Sequence, residues 1–170
     1  MNIVAQIIGF IAFGFSLFTY HQKGKVNILN NALVVNFLKL VHYLLLGAYS
    51  GFATKVVAIF RDLFVIVKER NSFFGSKLYF YIFIFLYLVI SVITYDGFLS
   101  LLPIIAALTY MLVIWDGNDV KIRRIALLGY FLWLGYNIFV FSLSGIFSNV
   151  VSIMSVSFAI YKDNRQSIFS

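Results

Sequence analysis

The chain has 170 residues, of which 62% are hydrophobic and only 11% charged. A soluble domain carries roughly a quarter charged residues, so there is too little polar surface here to face water. The formal net charge of +7 does not point to nucleic acid, because Lys and Arg sit in short segments between apolar stretches. Cysteine is absent, which excludes disulfides and thiolate metal sites.

In chain order, hydropathy predicts seven membrane spans at Ile3–Tyr20, Ile28–Tyr49, Phe52–Val67, Leu78–Tyr95, Phe98–Trp115, Ile122–Leu143 and Ile146–Tyr161. Met1 to Phe10 has neither a basic n-region nor a small-residue cleavage site, and reads as the first span rather than a signal peptide. The connections are brief, with Ser50-Gly51 and Ser144-Gly145 read as tight turns between helices. Tyr20, Tyr79, Tyr95 and Trp115 fall near span ends, where amphipathic rings favour the interface. One face carries Lys23, Lys25, Lys68, Arg70, Lys77, Lys121, Arg123, Arg124, Lys162 and Arg165; the other carries only Lys55, near a span start. The positive-inside rule then places the amino terminus outside and the carboxyl terminus in the cytoplasm of a bacterial inner membrane.

Sliding the chain against itself by 94 positions aligns its two ends without a gap, pairing Ile28 with Ile122, Phe37 with Phe131, Ser50-Gly51 with Ser144-Gly145, and Lys68 with Lys162. The expected fold is therefore all-α, with residues 1–71 and 96–165 as two parallel three-helix repeats and residues 77–95 as a linker helix, forming one membrane domain. The fourth span has scarcely a polar group and is expected to face lipid.

Lys39 near the middle of the second span, and Arg61 with Asp62 near the middle of the third, are each expensive in hydrocarbon, at about 2.5–3.5 kcal/mol on insertion scales. They must face protein or a water-filled cavity. Asn36, Lys39 and Tyr43 share one helical face, with His42 beside it; Asn149, Ser152 and Ser155 form a polar stripe on the last span. Under the repeat, Lys39 corresponds to Trp133, His42 to Tyr136, Lys55 to Asn149 and Arg61 to Ser155. A charged half-site thus opposes an aromatic, amide and hydroxyl half-site, as a solute cavity requires. Asp62 and His42 are the intramembrane groups able to couple protons. Pairing of Asp62 with Lys39 or Arg61 as structural glue is the alternative. Pro103 and its repeat mate Gly9 weaken their helices at matched places, where a hinge or a simple kink would sit. There is no zinc helix, nucleophile elbow or phosphate-binding glycine loop, so neither an enzyme nor a cofactor is expected, and no metal.

The 3+1+3 layout resembles the SWEET sugar facilitators and the PnuC vitamin transporters, of the MtN3/PQ-loop type. Trp133 and Asn149 stand where a substrate-flanking Trp and Asn stand in SWEETs. The chain lacks their Pro-Gln pair, and Lys39 and Arg61 point to a more anionic solute than sugar. Val41-His42-Tyr43-Leu44-Leu45-Leu46-Gly47, Phe60-Arg61-Asp62-Leu63, Leu101-Leu102-Pro103-Ile104 and Trp133 through Asn137 carry a further resemblance, to the YgjV-type bacterial inner-membrane family, over nearly the whole chain. That resemblance implies a location and a fold but no activity. The expected function is transport of a small polar or anionic solute by alternating access, with the bilayer as the other partner; the alternative is a non-transporting receptor or assembly protein. The apolar exterior is compatible with a monomer or a homo-oligomer.

Overall fold

A computed structural model describes residues 2–19, 25–70, 77–116 and 119–166. Residues 1, 20–24, 71–76, 117–118 and 167–170, with the expected interfacial Tyr20 and the basic Lys23 among them, lie outside the described residues. Seven α-helices are present among those described: α1 (Ile3–Thr19), α2 (Lys25–Leu45), α3 (Tyr49–Arg70), α4 (Lys77–Ile93), α5 (Leu102–Asp116), α6 (Asp119–Phe139) and α7 (Leu143–Gln166). A 3₁₀ turn, Phe98–Leu101, leads into α5.

Among the described residues, no helix is long and apolar enough to cross a membrane by itself. The apolar helices are short: 17 residues in α1, 17 in α4 and 15 in α5. The longer helices, of 21 to 24 residues, are the ones carrying the polar side chains. With its 3₁₀ turn, α5 reaches roughly 30 Å, about the thickness of a hydrocarbon core.

Six helices close a ring in which α1 packs on α2, α2 on α3, α3 on α5, α5 on α6, α6 on α7, and α7 on α1. The fourth helix lies outside this ring, against α3 and α5. Its outer side leaves Tyr81, Phe85, Leu88 and Val92 (79% exposed) uncovered. Exposed Phe, Ile, Leu and Val recur on the other helices too, while Arg61, Asp62, His42, Asn137 and Asn149 are buried. An apolar exterior around a polar interior is the arrangement a bilayer selects.

The α2–α3 and α6–α7 connections are built alike. At the first, Gly47 N–H donates to Leu44 O and Ala48 N–H to Tyr43 O; at the second, Phe141 N–H donates to Ile138 O and Ser142 N–H to Asn137 O. Both are Schellman closures with a left-handed residue at the turn, Gly47 at φ 70° and Phe141 at φ 53°. These turns correct two sequence expectations. The second and sixth spans end at Leu45 and Phe139, about four residues early, because Leu46-Gly47-Ala48 and Val140-Phe141-Ser142 are uncharged and largely apolar and hydropathy runs straight through them. Ser50-Gly51 and Ser144-Gly145 are consequently not turns but the opening residues of α3 and α7.

Pro103 is the second residue of α5, just after the 3₁₀ turn, where a missing N–H leaves no helical hydrogen bond unmade. It starts a helix rather than interrupting one. Gly9 lies inside an unbroken α1 where that helix meets α7: a Cβ there would collide with Ser144 Oγ and approach His42 Nδ1 to 2.8 Å and Ser144 Cβ to 2.8 Å. Gly14, in the same helix, has nothing within 4 Å of its would-be Cβ. Gly9→Ala is expected to destabilise by on the order of 1–3 kcal/mol through overpacking. Gly14→Ala is expected to be neutral or stabilising, by up to about 1 kcal/mol of helix propensity. Thermal unfolding of the two variants in one detergent should therefore move in opposite directions; equal shifts would show that α1 does not pack closely on α7 at Gly9.

Candidate functional site

The second and sixth helices face each other across the ring and meet through Tyr43. Its hydroxyl donates to Asn137 Oδ1 at 3.0 Å, and its ring stacks on Trp133 with centroids 5.6 Å apart and planes at 21°. This contact separates the interior into two halves of different chemistry.

On the α3–α5 side is a cavity of about 230 Å³, lined from α2 by Asn36, from α3 by Thr54, Lys55, Arg61 and Asp62, from α5 by Tyr110 and from α6 by Tyr130 and Trp133, among others. Alanines and Gly129 form much of the remaining wall. The lining comes from the amino-terminal parts of α2 and α6 and the middle of α3 and α5, so the cavity lies toward the end of the bundle where α1 joins α2 and α5 joins α6. Tyr110 is 40% exposed and marks its rim.

Within it, Arg61 and Asp62 form a buried ion pair, 4% and 1% exposed. Arg61 Nη2 lies 2.7 Å and Nε 3.0 Å from Asp62 Oδ1. The other carboxylate oxygen, Oδ2, accepts from Asn36 Nδ2 at 2.8 Å. Arg61 Nη1 lies 3.4 Å from the Tyr87 hydroxyl, and the guanidinium carbon sits 4.9 Å from the Tyr110 ring centroid. Arginine suits this place because its planar fork can meet a carboxylate and an aromatic face at once. Asp62 thus pairs with Arg61, not Lys39.

Lys55 is held differently. Its ammonium lies 4.2 Å from the centroid of the Trp133 ring, as a cation–π contact. Among the described residues it has no hydrogen-bond acceptor, and its electrostatic neighbours are Lys39, Arg61 and Asp62.

The α1–α7 side holds a polar knot with no place in the cavity. His42 Nδ1 is 2.6 Å from Ala5 O and Nε2 is 2.8 Å from Ser142 Oγ. A carbonyl only accepts, so Nδ1 carries a proton, and in the neutral ring Nε2 accepts from the serine hydroxyl. Gln6 donates from Nε2 to Phe141 O at 3.0 Å and accepts at Oε1 from Ser144 N–H at 3.2 Å, tying α1 to the α6–α7 turn.

Of the residues expected to bind solute, the cavity brings together Asn36, Arg61, Asp62 and Trp133. Lys39 is half-buried on α2 but outside the lining, and Tyr43 stands behind Trp133 as part of the barrier. Asn149 and Ser152 are buried on α7, away from the lining, and Ser155 is exposed. The repeat correspondence brought these three serine and asparagine positions opposite the charges in register, whereas α7 packs on α1 and α6 rather than on α3. His42 is a helix tie.

Sequence reasoning put Lys55 in the charged half-site but near a span start and did not name it as a binding residue; α3 begins at Tyr49, which places Lys55 well inside, two turns before Asp62. It also missed Tyr87, fully buried on the otherwise lipid-facing α4. Nothing in that aromatic-rich segment distinguishes Tyr87 from the exposed Tyr81.

A second cavity, of about 570 Å³, lies at the opposite end, lined by Ser50, Ala53, Asp96, Ser100 and Tyr136 among others. Between the two stands an aromatic layer in which Tyr43, Trp133 and Tyr136 pack with centroids within 5.6 to 6.0 Å. The Tyr136 hydroxyl accepts from Ser50 Oγ at 3.0 Å and from Gly51 N–H at 2.9 Å. A Cβ at Gly51 would lie 2.8 Å from the Tyr136 ring, so glycine is what lets this latch close.

A ring of helices with an apolar exterior, enclosing buried charges in an internal cavity, defines a polytopic membrane protein. A family profile described as a bacterial inner membrane protein, Imp-YgjV, matches residues 3–167, and the chain belongs to that family. It is a multi-pass protein of the bacterial inner membrane. No curated protein and no solved structure matches the chain.

Breaking the ion pair strands a buried cation. Asp62→Asn is expected to cost about 3–5 kcal/mol, whereas the double variant Arg61→Met/Asp62→Leu should recover most of that loss. Chemical or thermal unfolding of the single and double variants measures the coupling, and additive losses would mean that the pair is not closed in the folded protein.

Proposed function

We propose that this protein is a small inner-membrane carrier that moves a small polar or anionic solute by alternating access between two three-helix bundles, α1–α3 and α5–α7. The observation that carries the proposal is the pair of cavities at opposite ends of the bundle, separated by the single layer Tyr43, Trp133 and Tyr136. A carrier needs one barrier that closes on one side of a solute site while the other side stays open. The matched α2–α3 and α6–α7 turns support a parallel duplication, the plan that resembles SWEET and PnuC carriers. In that plan the charged cavity faces the cytoplasm, the second cavity faces outward, and the amino terminus lies outside.

The bundles meet at α1 with α7 and at α3 with α5, which are equivalent pairs under the duplication. Rocking about these contacts would part Tyr136 from Ser50 and Gly51, and so open the second cavity to the first. Asp62 is the cavity group able to exchange a proton, since His42 is engaged with Ala5 and Ser142. A non-transporting receptor or assembly protein is the second proposal, favoured by the completeness of the Arg61–Asp62–Asn36 set, which needs no solute to be satisfied.

The absence of native cysteine makes the barrier directly testable. Gly129→Cys, in the wall of the charged cavity where a Cβ meets nothing within 4 Å, is expected to react with a membrane-impermeant maleimide in inside-out vesicles and not in spheroplasts. Adding Tyr136→Phe, which removes the oxygen that binds Ser50 and Gly51, should make it reactive from the outer side as well. Lost stability without outer-side labelling would leave the aromatic layer as packing and remove the main support for a carrier.

A further inference from the structure

Accepting that the charged cavity is a solute site, we infer that its solute is a small organic monoanion whose carboxylate sits on Lys55 and whose apolar, planar body lies along Trp133. Three observations on different residues lead there.

First, among the described residues the cavity's other ionic groups are already satisfied. Both oxygens of Asp62 have donors, in Arg61 and Asn36, and Arg61 is shared among Asp62, Tyr87 and the Tyr110 ring. An arriving anion would have to break that set to reach Arg61. The ammonium of Lys55 has three donors and, among the described residues, no acceptor. The ring beneath it orients the group without using its hydrogen bonds. Lys55, not Arg61 or Lys39, is therefore the group left for a ligand.

Second, the local charge is positive. Lys55 feels the charges of Lys39 and Arg61, with Asp62 as the carboxylate among them. An anion relieves that excess, whereas a cation adds to it, and Coulombic effects are strong where water is sparse.

Third, the walls and volume limit the rest of the molecule. Apart from the charged groups, the lining is mostly alanine and aromatic rings, interrupted by Asn36, Thr54 and Thr109. Those three already spend donors on Asp62, Ser50 O and Ala106 O, so the alanine wall beside the Trp133 ring suits a planar hydrocarbon body better than a polyol. The cavity, of about 230 Å³, admits a small solute. Among the described residues the lining offers the single ammonium of Lys55, which matches one carboxylate rather than two.

The test uses the full chain in nanodiscs with Trp115→Phe, leaving Trp133 as the sole tryptophan of the two in the sequence. Benzoate, the neutral isostere benzamide, and chloride are titrated while Trp133 emission is recorded. Saturable quenching by benzoate is expected, with benzamide and chloride each at least about tenfold weaker. Lys55→Met should weaken benzoate by about tenfold or more, as loss of a charge-assisted hydrogen bond does, and Lys55→Arg should restore most of it. Arginine keeps the charge and the ring contact, so its response separates a lost contact from a lost fold. No saturable response, equal binding of benzamide, equal binding of chloride, or undiminished binding in Lys55→Met would each overturn the inference. Counterflow of labelled benzoate in proteoliposomes separates this from the carrier proposal: binding without flux leaves the anion site standing and removes transport.

Discussion

The Arg61–Asp62 pair is the constraint around which the rest of the interior is arranged. Two opposite charges side by side on one helix would each be costly in hydrocarbon, and their mutual attraction alone does not offset desolvation. The surrounding helices complete the set: α2 supplies Asn36 to the second carboxylate oxygen, α4 brings the Tyr87 hydroxyl, and α5 offers the face of Tyr110. Four helices therefore converge on one point because one helix carries a charge pair that needs them. The fourth helix shows this most clearly. Its outer surface is hydrocarbon, yet its buried Tyr87 and Phe83 pack with Val57, Ile104, Ala107 and Met111 directly beside the ion pair. A helix that merely returned the chain would not need a buried hydroxyl.

The second organising feature is the likeness of the two turns that precede α3 and α7. Each reverses the chain by the same two backbone bonds, the longer of which ends on the carbonyl of Tyr43 in the first turn and of Asn137 in the second. Where the first turn uses Gly47 in the left-handed region, the second uses Phe141, a residue for which that conformation costs about 1–2 kcal/mol. Its carbonyl is held by Gln6 of α1, so the strained turn is anchored from across the ring.

Much of the fold was legible because helical membrane proteins advertise their helices by hydropathy. The number and order of the helices followed from apolar runs, and the family resemblance rested on Val41 through Gly47 and Phe60 through Leu63, segments that fall at the turn and at the ion pair. What was illegible had a common cause. Hydropathy does not register a turn made of Leu46, Gly47 and Ala48, so helix ends were displaced, and Ser50 and Gly51 were misjudged with them. The charged residues of the site stood out because they violate the composition around them, and Arg61, Asp62 and Asn36 did come together. Lys39, Asn149, Ser152 and Ser155 violated it equally, but which of two cavity halves a residue faces depends on how α7 packs, and one chain's sequence does not encode that in any local signal. Tyr87 was invisible for the opposite reason: among the tyrosines of α4 its chemistry is ordinary and only its neighbours are not.

The hydrogen bond from Tyr43 to Asn137 joins positions separated by 94 residues, the same spacing that superposes the two turns. Under the proposed duplication each is the other's counterpart, and the contact between α2 and α6 is one place in the molecule touching its own copy. Had two identical three-helix chains come together about a dyad, this position would confront itself, phenol on phenol or amide on amide. Covalent linkage removes that restriction. It allows a donor on one half and an acceptor on the other, and beside them a lysine at 55 where the partner half has Asn149. A chain half as long, assembling in pairs, could keep the turns and the ring of helices, but it would have to duplicate or forgo the ammonium of Lys55. On the proposed duplication, the linker helix is what permits the interior to be one-sided.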